Sequence, residues 1–229
     1  MGVVDLQFYA IGASLFGLCA LLVILCVRSA LHYRERRVAT ELMWGGGLAL
    51  AAGAMAVEAF VYLGYVNSPL LQLYVFLSAA IVGILSLGAT KVLRSPRIAF
   101  GYTVYTLGAC AAVGVACLVT PLSTGMVTQG IITGNPPLSL ILLSTLVTGP
   151  ATIVLLAASV VSLRRSWRIQ TLLMVAGALI LGAGGTLYIA SFPVALYYAE
   201  FIGIFVLFLG LVSLPQPAPR PAGAPTSIS

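Results

Sequence analysis

The sequence predicts an all-α integral membrane protein of seven transmembrane helices, N-terminus outside and C-terminus inside, built as a 3+1+3 parallel internal repeat. Three observations lead there. Of 229 residues, 61% are hydrophobic and 7% charged, against about 25% charged in soluble domains, and the mean hydropathy is +1.12. Predominantly apolar stretches near the spanning length of about 20 residues recur seven times. All 11 Lys and Arg residues fall in alternate connections between those stretches or after the last. Seven spans use nearly the whole chain, so activity is expected inside the bundle or on short loops.

The spans read as approximately 8–28, 40–65, 69–93, 98–120, 137–163, 169–190 and 193–213. Repeat A then covers about 8–93, a linker helix about 98–120 and repeat B about 137–213, within a heptahelical domain 1–214. Span one is preceded by Asp5 and followed by Arg28, Arg34, Arg36 and Arg37, the reverse of a cleavable signal peptide with its positive leading region, so it is expected to stay as a helix. Span two carries small residues on two faces, Gly45, Ala49, Ala52 and Ala56 on one and Gly47, Ala51, Ala54 and Glu58 on the other. Such faces let helix backbones approach closely, which places this span inside the bundle. The segment from Pro121 to Pro137 is uncharged, with Gly125, Gly130 and Gly134 between apolar residues; it reads as a flexible outer loop or as a lid folded over that face. Span five contains Thr148-Gly149-Pro150. Proline removes one backbone donor, so a kink is expected there, with the carbonyl of Leu146 freed and Thr145 or Thr148 positioned to satisfy it; a broken-helix ligand site is the other reading. Residues 215–229 hold five prolines and no core-forming run, the pattern of a disordered cytoplasmic tail.

The cations set the orientation. Four arginines follow span one; Lys91, Arg94 and Arg97 follow span three; Arg164, Arg165 and Arg168 follow span five; Arg220 follows span seven. By the positive-inside rule these connections are cytoplasmic in a multi-pass protein of the cell membrane. The basic pI near 9.4 is thus a topology signal, and no nucleic-acid partner is expected. Arg34, Arg36, Arg37, Arg164, Arg165 and Arg168 form matched clusters whose default partners are anionic lipid headgroups. A membrane-protein partner or a second copy of the chain is a further expectation.

An internal repeat underlies the fold expectation. Residues 37–53 laid on 168–184 match at nine of seventeen positions, including Arg37/Arg168, Thr40/Thr171, Met43/Met174, Gly46/Gly177 and Gly53/Gly184. Residues 69–87 laid on 193–211 match at Pro69/Pro193, Tyr74/Tyr198, Val82/Val206, Leu85/Leu209 and Leu87/Leu211. Copies four helices apart have the same orientation and place a site at the interface of the halves. The SWEET-type sugar transporters and the microbial rhodopsins are similar in plan alone. A retinal Schiff base needs a lysine inside span seven, yet the sole lysine, Lys91, ends span three; the only Pro-Gln pair, Pro215-Gln216, lies after the last span. Neither family is assigned.

The inventory of reactive residues is short. His32 is the single histidine and Asp5 the single aspartate, which removes bis-His haem, a His-rich metal site, a Ser-His dyad and paired-aspartate chemistry. No catalytic residue, metal or cofactor is expected, and the chain reads as a non-enzyme. Cys19 and Cys26 in span one and Cys110 and Cys117 in span four are each seven residues apart, about 10.5 Å along a helix and too far for a disulfide within it. They read as packing residues, a thiol metal or redox site being the sharper alternative.

Glu58 in span two and Glu200 in span seven are the exceptions, because an ionisable residue inside a span is a functional candidate by default. With Tyr65 and Pro193 as outer span ends, each is seven residues inward, about 10 Å, in one layer of the outer half. Tyr62 and Tyr197 stand on the corresponding helix faces at spacings that permit hydrogen bonding, with Tyr65, Tyr188 and Tyr198 in the same zone. No Lys or Arg lies in a span at that depth. Desolvation then favours the neutral acid, and two facing carboxyls would share a proton. The same residues also fit an interfacial aromatic belt with two hydrogen-bonded glutamates joining helices. The leading functional expectation is small-solute or proton-coupled transport through the bundle; the alternative is a non-catalytic sensor or accessory subunit of a larger membrane complex.

The orientation has a direct test. A reporter fused after Arg220 is expected to be active in the cytoplasm and one inserted near Gly130 outside; external activity of the C-terminal fusion overturns the seven-span arrangement.

Overall fold

The structure, a computed structural model, describes residues 3–36, 39–90, 96–128, 130–132 and 136–165, together with helical residues at 172–173, 176–177, 180, 199, 202–206 and 209. Five helices fill the described part: α1 (Val3–Arg36), α2 (Ala39–Tyr62), α3 (Ser68–Thr90), α4 (Pro96–Val119) and α5 (Leu138–Arg165). Each contains an apolar stretch long enough to cross a membrane, from Gly12–Leu31 in α1 to Leu138–Ala158 in α5. This is the architecture of a helical membrane protein. Most of spans six and seven, which carry the matched stretches of the second copy, and the 215–229 tail lie outside the described residues.

The sequence explains where these helices stop. Asn67 caps α3 by accepting the Leu70 amide on its side-chain oxygen at 2.8 Å, which satisfies one of the amides that a helix start leaves open. At the other end of α2 the chain closes through Gly64, whose φ of +96° suits a residue without Cβ. Its amide bonds to Val61 O and that of Tyr65 bonds to Phe60 O, both at 3.0 Å. The Tyr65 ring meets Phe60 edge-on at 6.3 Å between centroids. This is the Schellman pattern with its accompanying hydrophobic contact, and it ends α2 at Tyr62, three residues before the sequence-based boundary.

α1 departs further from expectation. It runs on as helix through Arg28 and Arg34 to Arg36, a stretch the sequence assigns to a loop. Arginine is a good helix former whose long stem covers apolar surface while its head reaches polar surroundings, so the end of the apolar run does not end the helix.

α3 is the centre of the packing: it lies against α2, α4 and α5, and α2 also lies against α1. Small residues permit the approach. A Cβ added to Gly47 of α2 would stand 2.5 Å from the Leu85 side chain of α3, and one added to Gly83 of α3 would stand 3.0 Å from Val147 of α5 and 3.1 Å from Thr106 of α4. The main core gathers Val57 and Val61 of α2, Leu71 and Leu77 of α3, Val113 of α4 and Leu140 and Val147 of α5. A second cluster joins Leu15, Leu18, Leu22 and Leu25 of α1 to Leu48, Ala51 and Met55 of α2. Ile81 packs against both.

Successive helices α1 to α4 are antiparallel, as the pairs Gly12 with Tyr62 and Gly45 with Ser29, Gly47 with Leu85 and Gly53 with Leu77, and Ser86 with Tyr102 and Phe76 with Gly114 require. The end of α1, the start of α4 and the end of α5 therefore share one end of the bundle, which carries Arg34, Arg36, Arg97, Arg164 and Arg165. We call it the basic end. All four cysteines are free. Cys110 and Cys117 sit in the main core, Cys19 and Cys26 at the α1–α2 seam.

α5 passes through Pro150 as one helix. The carbonyl that proline leaves open, Leu146 O, accepts the phenol of Tyr105 from α4 at 2.6 Å. Thr145, one of the two expected donors, spends its hydroxyl on Ile141 O at 2.8 Å. Tyr105→Phe is therefore expected to cost about 1 kcal/mol, the usual size of such a bond, and Pro150→Ala should remove most of that penalty by returning a backbone donor. Unfolding of the two single variants and the double variant in mixed micelles measures the coupling; additive effects would contradict the assignment.

Candidate functional site

Glu58 is 2% exposed. It owes that position to its place on α2. Ala51 and Met55 lie on the side that packs against α1, whereas Ala54, Val57 and Val61 lie on the side that joins the main core. Glu58 follows Ala51 by two turns and Ala54 by one, so it falls between these two buried strips. The small-residue face identified from sequence is buried throughout, at Gly47, Ala51, Ala54 and Glu58, whereas Ala49 on the opposite face is exposed. Because α2 ends at Tyr62, Glu58 stands one turn, about 6 Å, from the helix end, nearer to it than the sequence-based estimate.

Tyr62 turns toward α1. A Cβ on Gly12 would come within 2.6 Å of the Tyr62 hydroxyl, so the phenol lies over the one residue type that leaves it room. Tyr65 is exposed and packs on Phe60. It takes no part in the interior. Glu200, Tyr197, Tyr188 and Tyr198 lie outside the described residues. Four residues beyond Glu200, Ile204 packs against the α1–α2 cluster, and its helical neighbour Gly203 is buried.

The described residues of the segment after α4, 121–128 and 130–132, form a structured cap, in line with the lid reading rather than the flexible-loop one. Residues Thr124–Met126 form a single 3₁₀ turn, and Val127–Thr128 pair antiparallel with Ile131–Ile132. Leu122, Met126 and Ile132 are buried in the main core beside Val61 and Leu71. Two polar contacts hold it to α3: the Leu122 amide donates to Ser68 Oγ at 2.9 Å, and Gln72 Nε2 donates to Thr120 O at 2.8 Å. At Gly130, φ is +74° and an added Cβ would stand 3.1 Å from the carbonyl oxygen of Tyr62. The cap is thus seated on the last turn of α2, one turn above Glu58.

Of the remaining candidates, Thr148 accepts the Thr152 hydroxyl on its carbonyl at 2.8 Å, and Gly149 faces open space. Arg34 is exposed at the basic end, Arg36 closes α1, and Arg164 and Arg165 close α5; Arg37 and Arg168 lie outside the described residues. Sequence reasoning missed Ser86, Tyr102, Tyr105 and Gln72. Ser86 Oγ donates to Gly83 O at 2.6 Å and lies 2.7 Å from the Tyr102 hydroxyl, which joins α3 to α4. Their signal was available, since each is a polar group inside an apolar helix and must bond to its own helix or to a neighbour.

No family model, characterised protein or solved structure matches this chain.

Gly130 offers a test of the cap. Gly130→Val forces a β-branched residue into a left-handed conformation and into the Tyr62 carbonyl, a strain of about 1–3 kcal/mol. Hydrogen exchange at the Leu122 and Met126 amides is expected to accelerate while the amides in the middle of α3 keep their protection. Unchanged exchange at both amides would show that the segment is not seated through Gly130.

Proposed function

We propose that this chain is a non-enzymatic, multi-pass protein of the cell membrane, N-terminus out and C-terminus in, through which a proton or a small solute permeates with proton coupling. Glu58 and Glu200 are its protonatable groups, and Tyr62 and Tyr197 are their hydrogen-bonding neighbours. The observation that carries this reading is the burial of the Glu58 side chain between the α1 and α3 seams. Placing a carboxyl in such surroundings is costly, and helix packing alone is met as well by leucine or alanine, the residues used around it. The packing of Ile204 on the same cluster supports bringing span seven, and with it Glu200, to this side of α2.

The second reading, an accessory subunit that docks on a larger membrane complex, is favoured by α4. Its Gly101 and Gly108, two turns apart, both face open space, and glycine faces of this kind suit close packing against another helix.

Glu58→Gln mimics the neutral acid and is expected to preserve folding while abolishing pH-gradient-driven proton entry into vesicles reconstituted with the protein. In infrared spectra at neutral pH the wild type should show a protonated-carboxyl band that this variant loses. Wild-type flux in Glu58→Gln, or a fully ionised Glu58 well below pH 7, would put the accessory reading ahead.

A further inference from the structure

Between α1 and α2 at the basic end lies a groove of about 350 Å³, within the range of small-molecule sites. Its origin is local. The two helices touch where an added Cβ on Gly45 would stand 2.9 Å from Ser29 Oγ. Beside that contact Gly46 and Ala49 supply almost no side-chain bulk, Ala30 forms the opposite wall, and Tyr33 and Leu42 rise at the basic end. Ala30, Leu42, Gly46 and Ala49 are exposed, so the groove opens sideways, along the flank of two helices that are both apolar enough to span a membrane.

We propose that this groove binds one anionic phospholipid, a hydrocarbon chain lying along Gly46 and Ala49 and the phosphate held at Arg34. Apolar walls make water a poor occupant and a hydrocarbon chain a good one. The headgroup follows from position. Arg34 is exposed and follows Ala30 by four residues, one turn further along the same helix face. It therefore stands where the glycerol end of a chain lying in the groove would emerge. In the sequence the segment 28–41 holds four arginines against Glu35 and Glu41, a net positive charge. A helix from a second copy would bring more cations to the same end, because Arg97 starts α4 and Arg164 and Arg165 end α5 there. An anionic lipid neutralises that charge instead. The site is separate from the Glu58 region: Gly45 and Glu58 are 13 residues apart, about 20 Å along α2.

The experiment is native mass spectrometry of the full chain released from vesicles of equal phosphatidylglycerol and phosphatidylcholine. The wild type is expected to retain one phosphatidylglycerol in preference to phosphatidylcholine. Arg34→Gln should lower that preference about fivefold, the factor that corresponds to about 1 kcal/mol for one basic side chain near an anionic surface. Ala49→Phe, which fills the groove from an exposed position, should lose the retained lipid, whereas Ile98→Phe on exposed α4 should keep it. Matching melting temperatures for the variants show that folding is intact. Should a variant fail to match, Gly46→Leu serves as a second way to fill the groove. Equal retention of both lipids by the wild type, retention unchanged in Ala49→Phe, or a dimer that Ala49→Phe dissociates would each overturn the proposal. The last would assign the groove to a second copy of the chain.

Discussion

The constraint on which this structure depends is that a backbone carbonyl or amide inside an apolar bundle must find its partner within the protein. Helices meet it without help until their pattern is interrupted, and at each interruption a neighbouring element supplies the missing group. Pro150 opens Leu146 O and Tyr105 of α4 closes it. α4 ends at Val119, and the carbonyl of Thr120 just beyond is taken by Gln72 of α3. The chain leaves the bundle at Leu122 and its amide goes to Ser68. These bonds do more than satisfy single atoms, because each joins positions more than 40 residues apart in sequence. They fix the height of α4 against α3 and α5, a quantity that greasy contacts alone specify weakly.

Close approach is the second requirement, since apolar side chains gain little by leaving lipid for one another and dispersion must come from dense packing. α3 meets it as the hub, taking α2 at Leu85 against Gly47 and α4 and α5 at Gly83. The consequence for Glu58 is geometric. Gly47, Ala51 and Ala54 stand three, two and one turns before it on the same buried side of the helix, so the approach that builds the core also encloses the carboxyl.

The existence of the five described helices was legible because hydropathy over 20 residues is a strong local signal, and the burial of Ala51, Ala54 and Glu58 followed from their spacing. Boundaries were less legible. Apolarity ends near Arg28 in α1, but arginine does not break a helix, and only the Gly64 turn gives α2 a stop written in residue type. The cap was ambiguous for another reason: its stability comes from Leu122, Met126 and Ile132 entering a core assembled by α2, α3, α4 and α5, and no local pattern announces that. Tyr105 is similar, since its role depends on the relative height of two helices 41 residues apart at the bonded positions. The repeat, with Gly177 and Gly184 as its markers, and the pairing of Glu58 with Glu200 involve spans that lie largely outside the described residues.

The two ends of the bundle divide the electrostatics, and magnitudes show why that matters for the proposed role of Glu58. Arg28 is adjacent to Ser29, which meets Gly45, so it is about 20 Å from Glu58 along the helices. At that separation and an effective dielectric constant of about 20, the attraction is about 0.8 kcal/mol. Withdrawing a carboxylate from water costs several kcal/mol. The basic end therefore cannot compensate an anion at Glu58, and whatever stabilises this side chain has to act locally, through a bound proton or hydrogen bonds from its immediate neighbours. A group whose charge must be settled within one helical turn responds to small changes around it, and one turn beyond it stand Tyr62 against α1 and the cap seated on the Tyr62 carbonyl. Movement of either changes the surroundings of the carboxyl while the distant cations stay where they are. Under the proposed function, that makes the cap and the α1–α2 contact at Gly12 the natural places for coupling between conformation and protonation, and it leaves the basic end to hold the protein in its lipid.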